Sequence, residues 1–201
     1  KGIQVGPNNY LAHGYMGIPV SITVEGANIL TRNLMIFGQG ATRCHPFVLK
    51  EMEAAGMEDD ELALKQFDGL LLQHIIFAGT NAGMAFVHGL TRSYFAKSPV
   101  SGATANYYKQ LGRMSRGLAF CTDVAMLILG GELKRKEMIS ARLGDVLSHL
   151  YIASTVLKRF EDEGRQQADL AFVQYSVERS LFEIGQAFDG FFKNFSNPVV
   201  N

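Results

Sequence analysis

The chain has 201 residues, 47% of them hydrophobic, and its 19 basic residues balance 19 acidic ones. A chain of this length and hydrophobicity can bury a sizeable core in one or two domains. The balanced overall charge gives no reason to expect binding to nucleic acid or to an anionic membrane. Two distant cysteines, Cys44 and Cys121, have no metal-ligand spacing, which favours buried thiols in a reducing compartment over a disulfide.

The first forty residues predict one short break and one helix. Gly17-Ile18-Pro19 is expected to end a helical turn, and the β-branched residues 20–24 favour an extended backbone. Apolar residues then recur at helical spacing over residues 26–37, and Gly38 and Gly40 offer left-handed positions at which this helix can end.

A shorter helix is predicted to begin at His45-Pro46, because proline is tolerated at the first helical position. The polar connection after it, residues 57–60, contains Asp59 and Asp60, which suit the N-cap of the next helix. This connection is the predicted domain boundary, so residues 1–57 and 58–201 are expected to form two domains.

Four long helices are predicted beyond that boundary, over residues 60–95, 103–129, 132–162 and 165–192. Gly130-Gly131 is expected to end the second of them. Helices near thirty residues are roughly 45 Å long, and short connections force neighbours to run antiparallel. The sequence therefore predicts an all-α fold in which residues 58–201 form an up-down four-helix bundle.

The most apolar stretch, residues 69–90, has the length of a membrane span. It contains polar side chains that lipid would leave without partners, and its small residues suit close helix packing. We therefore expect a buried, central bundle helix. The polar side chains in this stretch are Gln73, His74, Thr80, Asn81 and His88.

Three groups of side chains could form sites, but the sequence favours a structural role for each. His74 and His88 are about 21 Å apart along a helix, too far to share a metal ion, and no metal site is predicted. The adjacent Cys44 and His45 do not face one another as a nucleophile and base must. The C-terminal aromatic residues are expected to be core, with Phe192 and Phe195 as the exposed exceptions.

The remaining candidate is the run Val24-Glu25-Gly26-Ala27-Asn28, with Arg32 seven residues after the acid. It places a carboxylate at a helix N-terminus, with a glycine beside it where a ligand can approach the backbone. These residues, and the longer run over 22–40, resemble the signature of the acyl-CoA dehydrogenases. The likeness is greatest to the long bacterial enzymes of fatty-acid degradation and covers essentially the whole chain.

The resemblance implies the C-terminal part of a longer FAD-dependent enzyme that oxidises fatty acyl-CoA to trans-2-enoyl-CoA. Residues 1–57 would end its catalytic helical domain, and residues 58–201 would be an appended bundle. Glu25 would be the base that removes the α proton, and the substrate thioester would pass close to Gly26. Asn28 is the candidate cofactor contact in this chain.

The resemblance also implies partners and a location. Electron-transfer flavoprotein would accept the electrons, and the enzyme would form a homo-oligomer in the bacterial cytoplasm, with peripheral contact to the inner membrane. The appended bundle would serve chain association, membrane-surface contact or recognition of long acyl chains.

Two departures from the family pattern leave an alternative open. The family commonly has threonine and a glutamine or aspartate where this chain has Ala27 and Ile29, so those contacts to the flavin are absent. Most of the FAD would be held by parts of the enzyme outside this chain. The alternative is a non-catalytic helical interaction module that retains a degenerate dehydrogenase fold.

Overall fold

A computed structural model describes residues 14–20 and 31–195 of the chain. These residues form helices and connections without a strand, so the predicted all-α fold is confirmed. The predicted site residues Glu25, Gly26 and Asn28 lie outside the described residues. So do residues 21–24 of the segment that was expected to be extended.

Short helices form the N-terminal part. Helix α1 covers residues 14–20, so the break predicted at Gly17-Ile18-Pro19 is wrong. A π-helix, Thr31–Gln39, leads directly into α2, Gly40–Arg43. The predicted stop at Gly38 and Gly40 is therefore also wrong, because both glycines adopt helical geometry instead of a left-handed cap. Helix α3, Val48–Ala55, follows.

The four predicted long helices are present. Their bounds are Asp60–Leu90 for α4, Ala105–Leu129 for α5, Glu137–Asp162 for α6 and Leu170–Asn194 for α7, with a 3₁₀ turn, Gly130–Lys134, before α6. Helix α4 is shorter than predicted because Arg92 and Ser93 take left-handed backbone angles, with φ of 48° and 64°. Of the two predicted N-cap residues, Asp59 caps α4, and its side chain accepts hydrogen bonds from the Glu61 and Leu62 backbone N–H groups, whereas Asp60 is the first residue of the helix.

Contacts between successive helices confirm the up-down arrangement. Along α4 and α5, His74 lies opposite Asp123 and Asn81 opposite Arg116, so the two helices are antiparallel. The Thr104 hydroxyl, just before α5, donates to Glu161 near the end of α6 at 2.9 Å.

The hydrophobic core lies between α5, α6 and α7. Its fully buried side chains come mainly from α6 and α7, and the exposed fraction is zero for each of the following: Leu143, Val146, Ala153, Leu157, Val177, Ile184 and Phe191. Burying a large apolar side chain contributes roughly 1.5–3 kcal/mol, so this group supplies much of the stabilisation. Phe192 is exposed as expected, whereas Phe195 is buried, which corrects its predicted exposure.

Helix α4 is peripheral, and the prediction of a central, buried helix is wrong. It packs against α3 and α5, and most of its large apolar side chains remain exposed. Apolar residues on every side of a helix show only that it can be buried, not which neighbours cover it. By length and composition, Asp60–Leu90 and Ala105–Leu133 are apolar enough to cross a membrane, although α5 packs within the bundle.

Candidate functional site

A polar cluster joins three helices where α3, α4 and α5 meet. It consists of His45 in the turn before α3, Glu51 in α3, His74 in α4 and Asp123 in α5, and we call it the histidine cluster. Its side chains are between 7% and 19% exposed. The antiparallel register of α4 and α5 brings His74 and Asp123 together.

Short contacts connect the four side chains in a row. His45 Nε2 is 2.8 Å from Asp123 Oδ1, and His74 Nδ1 is 2.9 Å from Glu51 Oε1. A longer contact of 3.5 Å separates His74 Nε2 from the same Asp123 oxygen. Both imidazole rings therefore contact the carboxylate of Asp123, and Glu51 contacts the other nitrogen of His74.

The backbone at the start of α3 determines how His45 is protonated. The N–H groups of Phe47 and Val48 both donate to His45 Nδ1 at 3.2 Å. A neutral imidazole that accepts at Nδ1 carries its proton at Nε2, so His45 donates to Asp123. His74 faces a carboxylate at each nitrogen, Glu51 at Nδ1 and Asp123 at Nε2.

Aromatic rings enclose this row. Phe47 stacks on His74 with ring centroids 5.5 Å apart, and Phe77 meets His45 edge-on at 5.8 Å. Asp123 Oδ2 is buried and has no partner among the described residues. Hydrogen bonds in such an apolar setting are stronger than in water, and breaking one of them is correspondingly costly.

Three atoms of the cluster have metal-ligand geometry. The ligand atoms of His45, His74 and Asp123 all lie within 4.8 Å of one another. A metal ion at this point, however, would bind the lone pair of His45 Nε2. That nitrogen carries the proton, and has no free lone pair, as long as Nδ1 accepts two backbone N–H groups. The arrangement fits a hydrogen-bonded network better than a metal centre, and the absence of a metal site stays a prediction.

The sequence did not predict this cluster. His74 and His88 lie on the same helix, whereas the partners of His74 come from α3 and α5. The one usable signal was His45-Pro46 at a helix start, where a ring nitrogen can cap backbone N–H groups. Pairing with Asp123 depends on the register between helices, which periodicity does not give.

The two cysteines differ in environment. Cys121 is buried in the core, and this burial raises the pKa of its thiol to about 12. Cys44 is exposed, so the expectation that both thiols are buried is wrong for Cys44. Among the described residues no hydrogen bond joins the Cys44 thiol to His45, whose ring is committed to Asp123 and the start of α3.

Over the described residues the fold is a helical bundle with a core between α5, α6 and α7 and a polar junction between α3, α4 and α5. Residues 42–201 match the family described as acyl-CoA dehydrogenase, C-terminal, bacterial type. The chain belongs to this family. No solved structure matches it.

Proposed function

We propose that this chain is the C-terminal part of an FAD-dependent acyl-CoA dehydrogenase that acts in fatty-acid β-oxidation. The observation that carries the proposal is the position of the family match. It covers residues 42–201 and begins shortly after the run Val24–Asn28, whose residues resemble the family's catalytic signature. The two-domain division at residue 57 stays a prediction.

In the proposed reaction the chain contributes a base and a backbone donor. The Glu25 carboxylate removes the α proton of the acyl thioester, and its own amide N–H donates to the thioester carbonyl. Gly26 lets the thioester pass close to the backbone. When bound, the FAD supplies the acceptor for the β hydrogen, which leaves as hydride.

The side chains at positions 27 and 29 fit the flavin poorly. Alanine and isoleucine cannot make the polar contacts that the family makes there to the flavin phosphates and ribose. Asn28 is the proposed contact in this chain, and the other contacts would come from parts of the enzyme outside it. Electron-transfer flavoprotein is the proposed electron acceptor, and we propose a homo-oligomer in the bacterial cytoplasm.

Turnover by the full-length enzyme tests this proposal. Enoyl-CoA formation from a long-chain acyl-CoA is measured with an artificial electron acceptor. We expect Glu25→Gln to lower kcat by at least about 10³-fold, because positioned proton transfer supplies about 10²–10⁴ in rate. The matched control is Glu58→Gln at an exposed position, which should keep wild-type turnover. Substantial turnover by Glu25→Gln would overturn the assignment.

The second candidate is the non-catalytic interaction module. Ala27 and Ile29 favour it, and so does the exposed apolar surface of α4. The flavin content of the purified full-length protein separates the two candidates, because an interaction module needs no FAD and a dehydrogenase cannot work without it.

A further inference from the structure

The acidic residues of this chain are unevenly distributed. Between Asp68 and Asp123 the sequence contains no aspartate or glutamate, although the chain as a whole is neutral. Five basic residues fall in this interval: Arg92, Lys97, Lys109, Arg113 and Arg116. The interval forms most of α4, the connection after it and the first two thirds of α5. We call this antiparallel pair the α4–α5 hairpin.

One face of α4 in this hairpin is apolar and exposed. The side chains recur at spacings of three, four and eight residues, so they lie on one side of the helix. The exposed residues on this face are Leu64, Leu72, Ile75, Ile76, Phe86 and Leu90. Exposed Lys65 and Asp68 interrupt this face near the start of α4, but from Leu72 to Leu90 it carries no charged side chain. This continuous part exceeds the scattered apolar residues of an ordinary protein surface.

The tip of the hairpin continues this face with aromatic rings. Leu90 is 72% exposed, Tyr94 76% and Phe95 68%. The rings of Tyr94 and Phe95 meet edge-on with centroids 5.2 Å apart. Aromatic and leucine side chains are the types that enter the boundary between lipid headgroups and acyl chains.

The tip of the hairpin also carries cations. Arg92 and Arg113 line one cleft of about 370 Å³ together with Asn106 and Gln110. Among the described residues, no carboxylate forms an ion pair with either arginine. Lys109 Nζ lies 3.3 Å from the Tyr94 carbonyl oxygen. Arginine and lysine donors next to exposed aromatic rings match the phosphate groups of a lipid surface.

Most carboxylates at the same end of the bundle do not cancel this charge, because three at the turn between α6 and α7 already have their own cations. These pairs are Glu161 with Arg165, Asp162 with Lys158, and Glu163 with Arg159. Among the described residues, Asp169 in that turn forms no ion pair, and Glu178 in α7 accepts the Tyr107 hydroxyl group.

We propose that the α4–α5 hairpin docks on an anionic phospholipid bilayer. Leu90, Tyr94 and Phe95 enter the headgroup boundary, and Arg92 and Arg113 bind lipid phosphates. Helix α4 lies along the surface with its apolar face toward the acyl chains. The hairpin does not span the bilayer, because the other faces of α5 pack against α6 and α7 in the core.

Vesicle co-sedimentation of the full chain tests this proposal without flavin or substrate, so its outcome is independent of the proposed catalysis. The vesicles are phosphatidylcholine alone or mixed with phosphatidylglycerol. We expect binding to the mixed vesicles that added salt reverses. Arg92→Glu with Arg113→Glu should weaken it at least about tenfold, since each basic residue near an anionic surface adds measurable attraction. Tyr94→Ser with Phe95→Ser should weaken it on both lipid compositions.

The matched control is Arg135→Glu with Lys136→Glu, which makes the same charge change at the opposite end of the bundle. Circular dichroism confirms that every variant is folded. An equal loss in the control would overturn the proposal, and so would binding that the hairpin variants do not change or that salt cannot reverse. Displacement by inorganic phosphate at constant ionic strength would identify a free-phosphate site instead. A dimer in ultracentrifugation that Tyr94→Ser with Phe95→Ser dissociates, without vesicle binding, would identify a second copy as the occupant.

Discussion

Ser93 combines two unfavourable features in one residue. It is fully buried in a left-handed backbone conformation with φ of 64°, and its hydroxyl oxygen has no partner among the described residues. Glycine adopts this conformation without a side-chain clash and has no hydroxyl to leave unsatisfied. We expect Ser93→Gly to raise the free energy of unfolding by about 1 kcal/mol.

Urea unfolding measures this change, with Ser93→Ala as the control. Alanine removes the hydroxyl but keeps a Cβ atom in the left-handed conformation, so its gain should be smaller. A loss of stability in Ser93→Gly would show that the hydroxyl makes a contact that stabilises the turn after α4.

The thiols give a second prediction at this scale. Burial raises the pKa of Cys121 to about 12 from its ordinary value of 9.0, so below pH 9 its thiol stays neutral and unreactive in the folded protein. The pKa of the Cys121 thiol is higher in the folded than in the unfolded protein. The contribution of this thiol to the free energy of unfolding is therefore fully present below pH 9 and is lost as the pH rises toward 12. We expect a thiol reagent to label Cys44 quickly and Cys121 only on unfolding.

Labelling stoichiometry in native and denaturing buffer, followed from pH 7 to pH 9, checks this. Cys44→Ser should abolish native labelling and leave one reactive thiol after denaturation. Rapid labelling of native Cys44→Ser would contradict the buried position of Cys121.

At the scale of elements, the histidine cluster connects α3, α4 and α5. Asp123 Oδ1 accepts from His45 and lies near His74, and Oδ2 is buried without a partner among the described residues. Asp123→Asn therefore weakens the bond from His45, because a neutral oxygen accepts less strongly, and it places a buried amide N–H group where no acceptor lies. We expect the free energy of unfolding to fall by about 2 kcal/mol, within the range of about 1–3 kcal/mol for a buried donor without a partner.

Asp145→Asn is the matched control for denaturant unfolding. It makes the same chemical change in a carboxylate that pairs with Arg32 at 3.1 Å and is more exposed, so it should cost less than about 1 kcal/mol. Equal costs for the two variants would show that the cluster does not hold the helices together.

Helix positions could be predicted where the signal is local. Asp59 supplies its own capping oxygen, and Gly130 takes the positive φ that ends α5. The end of α4 could not be predicted, because its left-handed residues are Arg92 and Ser93 and not glycine. The cluster was missed for a related reason, since Glu51, His74 and Asp123 meet only through the register of three helices.

At the scale of the whole molecule, the four long helices do not share the core equally, whereas the sequence predicted a regular four-helix bundle. Helices α5, α6 and α7 enclose the core, and α4 lies outside them with its apolar face uncovered. The overall composition also conceals an uneven distribution of charge, because the neutral net charge is the sum of a basic α4–α5 hairpin and a more acidic remainder. The proposal that Glu25 is the catalytic base rests on its motif alone, and Glu25 lies outside the described residues.

The central claim is that Glu25 is the base of an acyl-CoA dehydrogenase whose C-terminal bundle is this chain. The most direct measurement is anaerobic titration of the full-length enzyme with a long-chain acyl-CoA, followed by flavin absorbance. We predict bleaching in the wild type and none in Glu25→Gln, with flavin bound in both. A wild-type protein that holds no flavin, or flavin that bleaches equally in Glu25→Gln, would contradict the claim.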